Sequence, residues 1–168
     1  LGGIDHADAL GSIGIGHYAG GAITQGQRNL AVGYLALQDL TDGDDNIMIG
    51  YNAGLDANNT NFLRNVGIGN YVFDGFSNAN PINNVAVGHE AMSGVLTDAA
   101  DNNTAIGYNA LLAMTSGTSN VAVGSMAGDS LTTGSYNVCL GIASGTAIIE
   151  GTRNTAVGGY ALNTDDYG

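Results

Sequence analysis

The sequence predicts an all-β protein: a parallel β-solenoid, or β-roll, of about nine coils, running as one repeat domain over residues 1–168 with a repeat of 17 or 19 positions. Three observations carry this. A Gly closes a short apolar run at a two-valued spacing, an Asn precedes it at fixed distance, and the segment around both is almost free of charge.

The first is the ladder of closing glycines: Gly16, Gly33, Gly50, Gly69, Gly88, Gly107, Gly124, Gly141 and Gly158. Successive intervals along it are 17, 17, 19, 19, 19, 17, 17 and 17. The glycines end the runs IGIG, LAVG, IMIG, VGIG, VAVG, TAIG, VAVG, VCLG and TAVG. Self-similarity at a fixed period of this kind is the signature of a stacked repeat architecture. Helical repeats need about 33 residues or more and strong helix formers, whereas here Gly and β-branched residues stand where a helix would have to continue. A repeat this short suits one coil with two short strands and two turns. At about 4.8 Å per stacked strand, nine coils make a rod of roughly 43 Å. Residues 12–168 hold the nine repeats, and residues 1–11 fit the tail of a preceding coil. The chain begins at Leu1, which reads as a processed product or a piece of a longer fibre that continues or stacks end to end.

The second is the Asn four residues before each closing Gly: Asn29, Asn46, Asn65, Asn84, Asn103, Asn120, Asn137 and Asn154, with Ser12 in the first copy. An amide repeated at one corner of every coil can bond its equivalents above and below, so these residues are expected to form a structural ladder. Seven residues after the Gly a second apolar position recurs as Ile23, Leu40, Ala57, Phe76, Val95, Met114, Leu131 and Ile148, failing at Asp165. Glycines ten after the anchor, such as Gly26, Gly43 and Gly117, read as turns.

The third is charge. From the Asn to four residues past the Gly, the nine copies together contain one formal charge, Glu90. Val or Ile occupies most positions three and one before the Gly, on one face of the strand; Ala or Gly predominates two before and at the Gly itself, on the other. A strand with one wet face alternates apolar and polar residues; this one is apolar on both. One face can fill the coil and the other needs a cover, for which another copy of the chain is the expected source. A homotrimer bundled around the small Ala/Gly face is the arrangement anticipated.

Composition narrows function further. Fifteen acidic residues against three Arg and no Lys give a formal charge of -12, which repels nucleic acid and anionic membranes. No apolar run approaches the roughly 20 residues of a membrane-spanning helix. Nucleophilic catalysis lacks a G-x-S-x-G elbow or a His beside the lone Cys139, and carboxylates such as Asp98 and Asp101 lie on variable turns without an evident cleft, so the chain is read as no enzyme and no cofactor is expected. The one metal candidate is a calcium site at Asp42, Asp44 and Asp45 in TDGDDN, where carboxylates flank a Gly; a solvated acidic turn is the competing reading. His17, Tyr34, Tyr51, His89 and Tyr108, each one residue after the Gly, form a candidate surface stripe that either cradles a sugar or simply stacks. Arg28, Asp45 and Arg64 share one position of the repeat and are expected to stack as a charged column.

The unit N-x-A-[VI]-G-x-x-A-L, as in NTAIGYNAL (103–111), NTAVGGYAL (154–162) and NVAVGHEAM (84–92), resembles repeats of phage tail-fibre proteins. It is also similar to the head repeats of trimeric autotransporter adhesins. The resemblance covers residues 12–168 and implies a homotrimeric, extracellular fibre, on a virion tail or a cell surface, that reaches and binds a host-surface glycan or protein receptor. Specificity is then expected in the long loops at 56–64, 74–83 and 93–102. A self-polymerising structural filament is the alternative.

Overall fold

The computed structural model describes residues 9–57, 62–75, 80–97 and 100–163. Nine three-residue strands follow one another along the chain: β1 (Ile13–Ile15), β2 (Leu30–Val32), β3 (Ile47–Ile49), β4 (Val66–Ile68), β5 (Val85–Val87), β6 (Thr104–Ile106), β7 (Val121–Val123), β8 (Val138–Leu140) and β9 (Thr155–Val157). They form one parallel sheet in sequence order, each strand pairing only with its predecessor and successor. The register never slips: Ile13 stands opposite Leu30, Leu30 opposite Ile47, and so on to Val138 opposite Thr155. This is a β-solenoid with one coil per repeat, and the described residues contain no helix.

Each coil has one regular strand, not the two anticipated; outside these strands the pairing among the described residues is confined to isolated bridges such as Leu63–Ile82. The reason is the backbone between strands. Three positions of the repeat take left-handed conformations coil after coil. Five before the closing Gly stand Arg28, Asp45, Arg64, Asn83, Asn102, Ser119, Tyr136 and Arg153, with φ of 56–61°. Two after it the same happens at Tyr18, Leu35, Asn52, Tyr71 and their equivalents, and four after it at Leu37, Phe73, Met92, Leu111 and Leu162. A left-handed residue turns the chain and interrupts an extended run, so the second half of the coil is a succession of tight turns. Their N–H groups donate to carbonyls of the neighbouring coil, as in Met92 to Ala110 (3.0 Å) and Leu111 to Ala127 (3.0 Å).

The closing Gly is required twice over. Gly107 has φ 139°, outside the range of L side chains, and a Cβ there would fall on the carbonyl of Gly124 in the next coil. The same coil-to-coil contact repeats from Gly16 to Gly141, and the consequence is a vertical file of positions that require Gly.

Inside the coil lies a narrow core. The middle residue of each strand points inward: Ala31, Met48, Ala86, Ala105 and Ala122 are fully buried, as is Cys139. Ala36, Ala53, Ala91, Ala110 and Ala127, three after the Gly, join them, with Leu37, Phe73, Met92 and Leu111 beside. Ile23, Leu40, Ala57, Met114, Leu131 and Ile148 close the far side. Phe76 and Asp165, at the same position of the repeat, lie outside the described residues. In the fifth coil the reading needs correction. Val95 is 57% exposed and Leu96, one position later, is buried in its place.

Candidate functional site

The outer face of the sheet is the main functional candidate, and here the expected facing is reversed. The small Ala/Gly column fills the coil interior and so cannot line an axis between chains. The β-branched columns face outward instead: Ile13, Leu30, Ile47, Val66, Val85, Thr104, Val121, Val138 and Thr155 at the first strand position, and Ile15, Val32, Ile49, Ile68, Val87, Ile106, Val123, Leu140 and Val157 at the third. The physical reason is space. Buried Leu, Met and Phe side chains such as Leu37, Leu40, Phe73, Met92 and Leu111 already fill most of the coil, so the inward strand position is left mostly with methyl-sized groups and the branched ones stay outside. Ile68 is 41% exposed and Ile106 40%, and only Thr104 and Thr155 interrupt the aliphatic character of the two columns. Eight steps of about 4.8 Å make this strip roughly 38 Å long and about 10 Å wide, on the order of 400 Å² in projection. The largest apolar patch on a single chain is ordinarily about 300–600 Å² and is often functional.

Along one border of the strip runs the aromatic stripe. His17 stacks on Tyr34 with ring centroids 5.2 Å apart and planes at 6°, and Tyr34 stacks on Tyr51 at 5.4 Å and 7°. Asn70 then takes the column position and its side-chain oxygen accepts from the Tyr51 N–H at 2.9 Å. The row of rings steps sideways through Tyr71 (5.2 Å from Tyr51) to His89 (5.6 Å) and Tyr108 (5.8 Å). In the His17–Tyr34–Tyr51 stretch the rings cover one another's faces and present edges outward. A pyranose needs an open ring face, so the stack favours coil-to-coil packing over a sugar cradle.

The Asn column is an internal ladder. Asn29, Asn46, Asn65, Asn84, Asn103, Asn120 and Asn137 are at most 1% exposed. Each side-chain oxygen accepts from both the backbone N–H and the amide of the Asn one coil on, as Asn84 does from Asn103 at 2.8 and 3.2 Å. The remaining amide hydrogen of Asn84 goes to the carbonyl of Ala100 (2.8 Å), just as that of Asn46 goes to Phe62 (2.7 Å) and that of Asn103 to Gly117 (2.9 Å). Both ends of the amide are satisfied within the protein, which leaves the ladder a structural device with nothing to offer a ligand. Ser12 stands in for the missing Asn, accepting from the Asn29 N–H (3.1 Å) and donating to the Gly26 carbonyl (3.0 Å).

Asp42, Asp44 and Asp45 do not converge. Asp42 accepts from the Thr24 hydroxyl (3.5 Å), Asp44 from the Gln27 N–H (2.7 Å), and Asp45 takes the Arg28 guanidinium in a two-point pair at 2.5 and 3.0 Å. Among the described residues no group of three His, Cys, Asp or Glu is placed to hold a metal ion. The hydrogen bond from Arg28 holds the Asp45 carboxyl below its ordinary value, and the same bond raises the guanidinium. The charged column is present at one residue per coil; Arg64 donates to Asn83 at 2.8 Å, and its charge also acts on Asp45 in the sense that lowers the carboxyl. Further along, Arg153 lies 5.5 Å above the ring of Tyr136.

A shallow cleft of about 250 Å³ opens between Tyr71, Asp74, Gly75, Glu90, Ser93 and Leu112. Desolvation, with the nearby charges of Asp56 and Glu90, pushes the Asp74 carboxyl up. One of its oxygens is buried with no hydrogen-bond partner among the described residues. Of the long loops, 58–61, 76–79 and 98–99 lie outside the described residues, Asp98 among them. Asp101 accepts from the Ile82 N–H at 2.8 Å. No helix of the described residues is long and apolar enough to cross a membrane.

Sequence reasoning missed the left-handed columns, although a signal for them exists. At the three repeat positions concerned, no Val, Ile or Thr occurs in any of the nine copies, and β-branched residues are those that a positive φ excludes most strongly. No protein-family model matches the chain, and no curated protein or solved structure does either.

Proposed function

We propose that this chain is a segment of an elongated, extracellular fibre, built as a homotrimer through its outward Val/Ile strip and serving attachment to a host surface as a phage tail fibre or cell-surface adhesin does. The observation that carries the reading is the uncharged aliphatic strip along all nine strands. Left in water it would be a flat parallel face inviting uncontrolled association; covered by equivalent strips it becomes the seam of an assembly. Two columns per strip suit a closed three-fold ring, in which each chain meets two neighbours. The resemblance of the N-x-A-[VI]-G-x-x-A-L unit to fibre repeats supports the same reading, and a formal charge of -12 spread over the turns keeps such rods apart from one another. Attachment then works by multivalent contact rather than by turnover.

Sedimentation at micromolar concentration tests the assembly. A trimer is expected, and Ile68→Glu combined with Ile106→Glu should yield single chains that keep their β circular dichroism. A wild-type monomer would defeat the proposal, and an open-ended size distribution would replace it with a self-polymerising filament. For attachment, labelled trimer should be retained on host-cell or glycan surfaces more strongly than the double variant; equal retention of both would remove multivalent contact from the account.

A further inference from the structure

Within the ring column one pair of phenols lies face to face on adjacent coils. Tyr34 and Tyr51 occupy the same repeat position on adjacent coils, with ring centroids 5.4 Å apart and planes at 7°. Both are exposed, at 45% and 42%. On one side the column continues with His17 and on the other with Asn70, neither of which carries a phenol. Tyr71 is as near to Tyr51 but comes from the next repeat position and meets it edge-on, at 67°. Tyr136 and Tyr160 are exposed and make no ring stack with another tyrosine among the described residues.

We propose that Tyr34 and Tyr51 are a site of oxidative coupling, at which a one-electron oxidant of the peroxidase class joins the second and third coils through a dityrosine bond. Each phenol gives up one electron and its hydroxyl proton. The two phenoxyl radicals pair at the ring carbons ortho to oxygen, and the hydrogens on those carbons move to the oxygens as the rings regain aromaticity. Two tyrosines have then lost two electrons and two protons, and one molecule of hydrogen peroxide accepts them to become two molecules of water. The sheet register supplies what coupling in solution lacks: the second ring is already held at one strand step from the first, so a radical on either ring meets its partner by side-chain rotation alone. The bond would close a loop one repeat long between neighbouring coils and so staple the rod along its axis. Both rings belong to one chain, so the coupling does not depend on the trimeric assembly.

Dilute protein treated with a peroxidase and hydrogen peroxide tests this. The expected product is an uncrosslinked-size chain lighter by two hydrogens, with dityrosine fluorescence and a linked peptide pair containing Tyr34 and Tyr51. Tyr34→Phe and Tyr51→Phe keep the ring stack and should each remove nearly all of that product, while Tyr136→Phe and Tyr160→Phe leave it. Persistence of the intrachain product in either of the first two variants, products joined only between chains, or no dityrosine at all would overturn the proposal. Circular dichroism of the Phe variants separates loss of coupling from loss of fold.

Discussion

Met48 lies across the space that a side chain on Gly67 would need. The two residues stand opposite each other in register on β3 and β4, and a Cβ at Gly67 would collide with the Met48 sulfur while also meeting Phe73 at 3.0 Å and Val72 at 3.1 Å. The same trade of volume occurs within single coils: Met48 is followed by Gly54 and Cys139 by Gly145, whereas Gly67 is followed by Phe73. In these three coils a larger side chain at one of the two positions is matched by a smaller one at the other.

Gly67→Ala is expected to destabilise the protein by about 1–3 kcal/mol through overpacking. Met48→Ala in the same chain should recover part of that loss, because it removes the atom in the way. Denaturant midpoints for the two single variants and the double variant give the coupling; strict additivity would mean that the two sites do not share this space.

Removing one rung of the Asn ladder should be costly in the middle and mild at the end. Asn84→Ala leaves the Ala100 carbonyl and the Asn103 N–H without their side-chain partners in a dry interior, an expected loss of about 3 kcal/mol. Asn154 is half-buried and its amide reaches only the Thr152 carbonyl at 3.4 Å besides Asn137, so water can replace what Asn154→Ala removes. Thermal unfolding of the two variants should differ clearly; equal losses would argue against burial as the cause.

The left-handed columns predict a steric rule. Ser119 has φ 58°. Ser119→Val should lose about 1–2 kcal/mol, the order of the penalty for a left-handed L-residue made worse by branching. Ser119→Asn and Ser119→Gly should be close to neutral, since both residue types accept this conformation. Chemical denaturation of the three variants checks the order.

Asp74 sets a pH dependence of definite sign. Desolvation first, then the charges of Asp56 and Glu90, raise its folded-state value above the ordinary 3.8. A carboxyl raised on folding binds its proton more tightly in the native state, so its contribution is most favourable below 3.8 and is lost as pH rises through the folded value. At neutral pH the ionised group opposes folding. Asp74→Asn should therefore raise Tm at pH 7 and narrow the gap as the pH falls toward 3.8, with Asp56→Asn acting in the same direction for the same first cause. A Tm that falls at pH 7 in Asp74→Asn would show that the carboxylate has a stabilising partner.

Much of this architecture can be read from residue order. The spacing of Gly16 to Gly158 sets one coil per repeat and the pairing of each strand with the next, because a stacked coil can align only equivalent residues. The Asn column marks the buried corner, since an amide recurring at one position needs its neighbours above and below. The Arg28–Asp45 pair follows from the same alignment, as does the stacking of Tyr34 on Tyr51. Which way each strand faces is another matter. Both sides of VAV or TAI are apolar, so hydropathy contains no sign for inside and outside; the space left beside buried Leu37, Leu40, Leu111 and Met114 takes Ala31 and Ala105 in and leaves Val32 and Ile106 out. Nor does the pattern reveal that Arg64 donates to Asn83, or that Asp42 turns to Thr24 while Asp44 and Asp45 both face Arg28, because side-chain direction at a turn depends on the backbone conformation there. Repetition along the chain determined the stacking order of this protein; the volume enclosed by each coil, which exists only once the coil has closed, decided its inside and its outside.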